Sequence, residues 1–210
     1  MHIVIPCKNL FAGKSRLAPC LDTESRRAFC ERLLIQTLGL AATLVMPDLI
    51  RVVTADTEVL AIAARYGAVG LRESNNGLNA ALDTARANLL TEDTRADAML
   101  IMPIDLPFAT SDALAGALAC RGDVVIGPDD SGTGTNLLLL RLAALRCLHF
   151  CFGPGSYTAH LSAARACGLK VSTFDDRRIA FDIDGPAQYL AWHKWNTCER
   201  TNAARSGLNR

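Results

Sequence analysis

The 210-residue chain has almost no excess charge of either sign: 22 Lys and Arg face 21 Asp and Glu, leaving a net charge of +1. No broad electrostatic field therefore favours nucleic acid or an anionic membrane. The sequence also lacks any apolar run approaching the length of a membrane span. No secretory leader is expected at its start, because residues 2–5 already read as a strand. Eight cysteines are present, but no Cys-x-x-Cys pair is among them. A chain of this length can build a core without disulfide staples, so the expectation is reduced thiols in a cytoplasmic protein, several of them small core residues. Cys147, His149 and Cys151 lie close together, yet no second ligand pair has suitable spacing, and zinc is not expected. Repeats and dividing linkers are absent too. One domain over residues 1–196 is expected, followed by a polar tail over 197–210 that should be mobile.

What is present is alternation. Apolar runs at 3–5, 50–54, 98–102 and 124–126 read as buried strands. Between them, 23–44 has helical periodicity with Thr23 as its cap, and 57–66, 78–90 and 111–120 read as shorter helices. Strands alternating with helices imply an α/β fold, a mostly parallel sheet with helices on both faces. Later, 135–140 is apolar, 157–167 is a helix stopped by Gly168, and 170–174 and 179–183 read as strands. A last helix spans 187–195, with Pro186 in its first turn.

The most telling stretch is Asp97-Ala98-Met99-Leu100-Ile101-Met102-Pro103-Ile104-Asp105-Leu106-Pro107. A buried strand has no use for a carboxylate, so Asp105 should stand just past its carboxyl end, where open α/β sheets bind ligands. The flanking prolines stiffen that loop, as suits a metal ligand. Near the amino terminus, Pro6-Cys7-Lys8-Asn9-Leu10-Phe11-Ala12-Gly13-Lys14-Ser15-Arg16-Leu17 follows strand one. Gly13-Lys14-Ser15 imitates the end of a Walker A loop, but Lys8 stands where that motif needs glycine, and Pro19 interrupts the helix that should follow. What survives is a basic loop: either a solvated surface or a cradle for a polyphosphate built on backbone N–H groups, Lys14 and Arg16.

Further polar islands follow. Asn75-Asn76-Gly77-Leu78-Asn79 opens a helix, and capping is the simplest use of its amides. Asp129-Asp130-Ser131-Gly132-Thr133-Gly134-Thr135-Asn136 lacks the third glycine of a dinucleotide loop and precedes a strand. Phe152-Gly153-Pro154-Gly155-Ser156 leads into a helix, with Ser156 a cap or part of an anion site. In Phe181-Asp182-Ile183-Asp184-Gly185-Pro186 the two acids share one face of an extended segment and repel unless a cation joins them. Grouped with Asp105, they would make an oxygen cage for Mg²⁺.

Taken in order, these motifs resemble the CofC/FbiD guanylyltransferases of the MobA-like nucleotidyltransferase group, over residues 2–192. The resemblance implies a single-domain Rossmann-like fold. It implies transfer of GMP from GTP to a phosphorylated three-carbon acid, with release of pyrophosphate, in coenzyme F-420 biosynthesis. The acceptor would be 3-phosphoglycerate, phosphoenolpyruvate or 2-phospholactate. Carried onto this chain, Asp105, Asp182 and Asp184 match the metal-binding acids, with Asp105, Lys14 and Arg16 in catalytic roles. Lys8, Gly13, Lys14 and Arg16 match the triphosphate loop, and Gly77 and Asn79 the guanine-side segment. Thr135, Gly153 and Ser156 match positions that hold the acceptor. The chain departs from many relatives at Cys7 and Gly13, neither of which threatens the chemistry. His149, Cys151 or Tyr157 would serve the extra hydroxyl of 3-phosphoglycerate. Two alternatives stay open: another MobA-like enzyme, such as a molybdopterin guanylyl- or cytidylyltransferase, and a nucleotide-binding regulatory module without turnover. No nucleic-acid or membrane partner is expected. The sequence does not set the oligomeric state, and a homodimer is compatible with it.

Overall fold

The first strand, β1 (His2–Pro6), is buried along nearly its whole length, as a strand covered on both faces must be. The computed structural model describes residues 1–11, 13–73, 77–93 and 95–207, with side chains as far as Thr197. The other strands are β2 (Ile50–Thr54), β3 (Val69–Arg72), β4 (Ala98–Ile101), β5 (Val124–Pro128), β6 (Thr135–Arg141) and β7 (Val171–Thr173). They form one sheet in the order β3-β2-β1-β4-β6-β5-β7. β6 pairs antiparallel with both β4 and β5, and the remaining pairings are parallel.

The helices are α1 (Thr23–Ala42), α2 (Thr57–Arg65), α3 (Leu78–Glu92), α4 (Ser111–Ala119), α5 (Leu142–Cys147), α6 (Ser156–Ala166), α7 (Arg177–Ala180) and α8 (Pro186–Gly207). Side chains alternate across a strand, so each strand feeds two cores. Ile3, Ile5, Val52 and Leu100 face α1, α2 and α4 through Leu34, Leu38, Ile62 and Leu114. Val4, Val53, Met99 and Leu138 face α3, α5 and α6 through Leu82, Leu89, Leu145 and Ala164. A third cluster joins Leu17, Phe29, Leu33, Ile183 and Trp192, seating α8 against α1.

Several expectations change. Asp22, not Thr23, caps α1, its carboxylate accepting from the Ser25 amide at 2.7 Å. Residues 179–183 are not a strand: Asp176 caps the one-turn helix α7, and the chain then runs extended without a sheet partner. β3 and α5 have no expected counterpart. β3 is only four residues long, with alternate residues exposed, and α5 follows directly from β6 without a turn signal. α8 stays helical to Gly207, well past Trp195. No helix among the described residues is long and apolar enough to cross a membrane.

The sheet order turns back between β1 and β4, so the connections leaving those two strands diverge and open a crevice at their carboxyl ends. The loop after β1 and the Asp105 loop after β4 both stand there.

Candidate active site

Past β4 the backbone continues the sheet for one more bond, Met102 N–H donating to the Val4 carbonyl at 3.0 Å. Pro103 ends the ladder because it has no N–H to donate. Asp105 follows at once, and its own carbonyl accepts from the Ile183 amide at 3.0 Å. That bond brings the carboxyl-terminal acids to β4. Ile183 is fully buried between α1 and α8, which contributes about 2–3 kcal/mol for a side chain of its size. With Ile183 turned inward, Asp182 and Asp184 flank it. One oxygen from each of Asp105, Asp182 and Asp184 lies within 4.8 Å of the others. Among the described residues, this is the one group of three such ligands found together.

Three carboxylates this close destabilise one another's ionised forms. Burial, then Asp105 and Asp184, push the Asp182 carboxyl up to about 6. Asn136 and Lys14 work in the opposite direction. Asn136 sits buried in β6 and its amide donates to the Ile179 and Ala180 carbonyls at 3.0 and 2.8 Å. It thereby fixes the segment that carries Asp182.

The counter-charge comes from the loop after β1. Lys14 Nζ donates to Asp105 Oδ2 at 2.7 Å and to Asp184 Oδ1 at 3.1 Å. Burial alone would lower its pKa, but the two acids outweigh burial and hold it above the ordinary lysine value. Lys14 is also the one non-glycine at positive φ (51°) among the described residues, a conformation that costs an L-residue about 1–2 kcal/mol. Strain of this kind persists only where surroundings over-determine it. Here Gly13 N–H donates to the Asn9 carbonyl at 2.7 Å, and Leu10 N–H to the buried carboxylate of Asp56 at 2.9 Å. Asp56 also caps α2 through the Glu58 amide, tying the loop to the sheet's outer half. Arg16 is mostly exposed, its Nη1 3.8 Å from Asp184 Oδ2.

These elements enclose a cleft of about 670 Å³, a size suited to a small ligand. Lys8, Gly13, Lys14, Arg16, Gly77, Asp105 and Asp184 line it. So do Cys7, Val53, Glu73 and Leu78. Burial, with Cys30, Asp56 and Asp105 nearby, pushes the Cys7 thiol far above its usual range, so it stays a neutral wall. Gly77, at φ +90°, is the cap residue before α3 and brings no side-chain cap, so it leaves the first N–H groups of that helix uncapped by its own side chain. Asn75 and Asn76 lie outside the described residues.

Asn79 and the acceptor-side residues are not among the residues lining this cleft. The Asn79 amide grips the Phe152 backbone both ways, donating to its carbonyl at 3.0 Å and accepting from its N–H at 2.9 Å. It therefore fastens α3 to the loop before α6. Gly155, in left-handed conformation, and not Ser156, is the cap residue of α6. Ser156 is buried, its N–H donating to the Gly153 carbonyl, and Tyr157 N–H donates to the Thr133 carbonyl. The helix start is thus largely satisfied internally. Gly153, at φ +137°, has open space where a Cβ would stand.

Thr135 opens β6, and its hydroxyl lies 3.0 Å from His160 Nδ1. His160 Nε2 accepts from the Cys151 N–H at 2.9 Å, so the ring proton sits on Nδ1 and is donated to Thr135. Burial pushes the imidazole down to about 4, leaving it neutral at physiological pH. Thr135 then keeps its own hydroxyl hydrogen for another acceptor.

Sequence reasoning missed Asp56, Glu73, Asn136 and His160. Asn136 had a signal: an amide inside an otherwise apolar strand must find partners. The other three depend on contacts between distant segments.

Known proteins agree with this architecture. The chain is 17% identical to a solved nucleotidyl transferase from Methanothermobacter thermautotrophicus, with a TM-score of 0.64 over 93% of this chain and 99% of that one, a likeness of fold. It is 39% identical over 192 residues to the phosphoenolpyruvate guanylyltransferase of Rubrobacter xylanophilus, covering 87% of this chain and 88% of that protein. It is 33% identical to the 2-phospho-L-lactate guanylyltransferase of Methanothermobacter thermautotrophicus, covering 86% and 78%. The model of CofC-like guanylyl transferases matches residues 1–192, and the chain belongs to that family.

Proposed function

We propose that this protein transfers GMP from GTP to a phosphorylated three-carbon acid and releases pyrophosphate, in coenzyme F-420 biosynthesis, using Mg²⁺ held by Asp105, Asp182 and Asp184. The observation that carries the reading is the meeting of three carboxylates with Lys14 at the edge of a nucleotide-sized cleft. Hard oxygen ligands suit Mg²⁺, and a carboxyl raised to about 6 by burial and by its acidic neighbours is a group that a divalent cation would return to its ionised form. When bound, the ion supplies neutralisation of the α-phosphate and of the acceptor phosphate.

The chain's own residues do the rest. An acceptor phosphate oxygen forms the new bond to the α-phosphorus, and the bond to the β-phosphate oxygen breaks with its electron pair leaving on pyrophosphate. The attacking oxygen is already deprotonated near neutral pH, so no general base is required. Lys14 and Arg16 steady the departing pyrophosphate. Thr135, with its spare hydroxyl hydrogen, Gly153 and Ser156 orient the acceptor, which converts an encounter of two anions into an aligned approach.

Among the three acids, phosphoenolpyruvate is favoured. The relative at 39% identity is named for it. The test is incubation of the purified protein with GTP, Mg²⁺ and each acid, reading pyrophosphate and product mass. A guanylylated acid formed from phosphoenolpyruvate, or from 2-phospholactate, supports the reading. Absence of pyrophosphate with all three acids would leave a binding module without turnover.

A further inference from the structure

We propose that Glu73 reads the Watson–Crick edge of the nucleotide base and makes the enzyme select guanine. This rests on the GTP reading above and extends it to the residue that sets base identity. Glu73 lines the cleft directly after β3. Its backbone is fixed there, its N–H donating to the Thr54 carbonyl at 3.0 Å and so prolonging the ladder. The other acids around the cleft are engaged: Asp105 and Asp184 hold Lys14, and Asp56 holds the loop after β1. Glu73 is half-buried, and among the described residues neither cation nor hydrogen-bond donor is paired with its carboxylate. An acid lining a ligand cleft with no partner for its carboxylate among the described residues is a site for donors carried by the ligand.

The surroundings and the spacing specify that ligand. Val53, Leu78 and Ala81 line the same cleft with apolar surface, as the face of a flat heterocycle requires. β3 and β4 are three strand positions apart in the sheet, about 14 Å at the usual inter-strand spacing. Glu73 therefore stands from the Asp105 cluster at the scale of a whole nucleotide, base at one end and phosphates at the other. Guanine presents N1–H and the 2-amino group as two parallel donors, which match the two oxygens of a carboxylate. Adenine and cytosine place an acceptor nitrogen in the same region, where a carboxylate repels it. Inosine keeps the N1–H but lacks the amino group, so it loses one of the two bonds.

The experiment compares GTP and ITP as donors, by kcat/KM for pyrophosphate release and by equilibrium binding of each nucleotide, in the wild type, Glu73→Gln and Glu73→Ala. The wild type should favour GTP by about ten- to a hundredfold, the loss expected for one charge-assisted hydrogen bond. In Glu73→Ala the ratio should fall to about threefold or less, and Glu73→Gln should also lower it, while the KM for the acceptor acid stays put. An unchanged GTP/ITP ratio in both variants overturns the assignment, even if GMP transfer itself is intact. If the wild type transfers nothing from GTP, the proposed function fails separately. The binding ratios then still decide whether Glu73 reads the base.

Discussion

Removing the internal cation of the acid cluster gives the sharpest test of its electrostatics. Lys14→Met keeps the length of the side chain and deletes the ammonium. Its bond to Asp105 is short and both partners are mostly shielded, whereas Asp184 is more than half exposed and contributes little. Hydrogen bonds to charged groups contribute about 1.5–3 kcal/mol, so after discounting the exposed partner the deletion should cost about 2 kcal/mol near pH 8. For a domain of this size that is a fall of about 4–8 °C in Tm. The pH dependence follows from Asp182. Its folded pKa of about 6 lies above the ordinary 3.8, so its ionised form opposes folding, and lowering the pH through 6 towards 3.8 stabilises the protein. At pH 5 Asp182 is mainly protonated, the cluster carries one negative charge fewer, and Lys14 has less to offset. Thermal unfolding followed by circular dichroism at pH 5 and pH 8 should show the larger deficit at pH 8, and added Mg²⁺ should narrow it. Equal deficits at the two pH values, or a variant more stable than the wild type at pH 8, would refute the reasoning.

Asp105→Asn should keep the fold, since the Ile183 amide bonds the backbone carbonyl of Asp105 and not its carboxylate. GMP transfer should nevertheless disappear, and near-normal turnover in that variant would sink the role given to the acids. Asn136→Leu removes the donor to two buried carbonyls, so Tm should drop by about 4–8 °C for about 2 kcal/mol of lost satisfaction. Calorimetry should also show weaker divalent-cation binding, because the Asp182 segment loses its anchor. Thr135→Val preserves shape but removes the hydroxyl beside His160. Steady-state kinetics should show the KM for the acceptor raised about tenfold with the KM for GTP unchanged, and an equal rise in both would contradict an acceptor-side role.

Much of this molecule is local and therefore legible in one dimension. A run from Ala98 to Met102 with no polar residue could only be a buried strand, and an acid held between prolines beyond it could only be a loop residue at the sheet edge. The acids on either side of Ile183 were legible as sharing one face, and they do so although the segment forms no strand. Failures arose where tertiary contacts override local pattern. Residues 179–183 alternate well enough for a strand, yet no sheet edge is offered to them, and Asp176 with Asn136 turns their first residues into a helical turn. β3 carries glycine and alternate exposure, and forms because β2 offers it an edge.

By itself, then, the sequence determined the α/β class, the strand-end position of Asp105, the basic character of the loop after β1 and the family. The first three follow from residue type and short-range spacing, and the family from the resemblance that the ordered motifs carry. Only the tertiary structure decided that Lys14 lies among the aspartates, that Asn79 clasps Phe152 instead of lining the cleft, and that Glu73 lines the cleft with no partner for its carboxylate among the described residues. The reason is physical. Burial of Ile183, the Ile183–Asp105 backbone bond and the strand order bring together groups from opposite ends of the chain, and no local propensity encodes such distances.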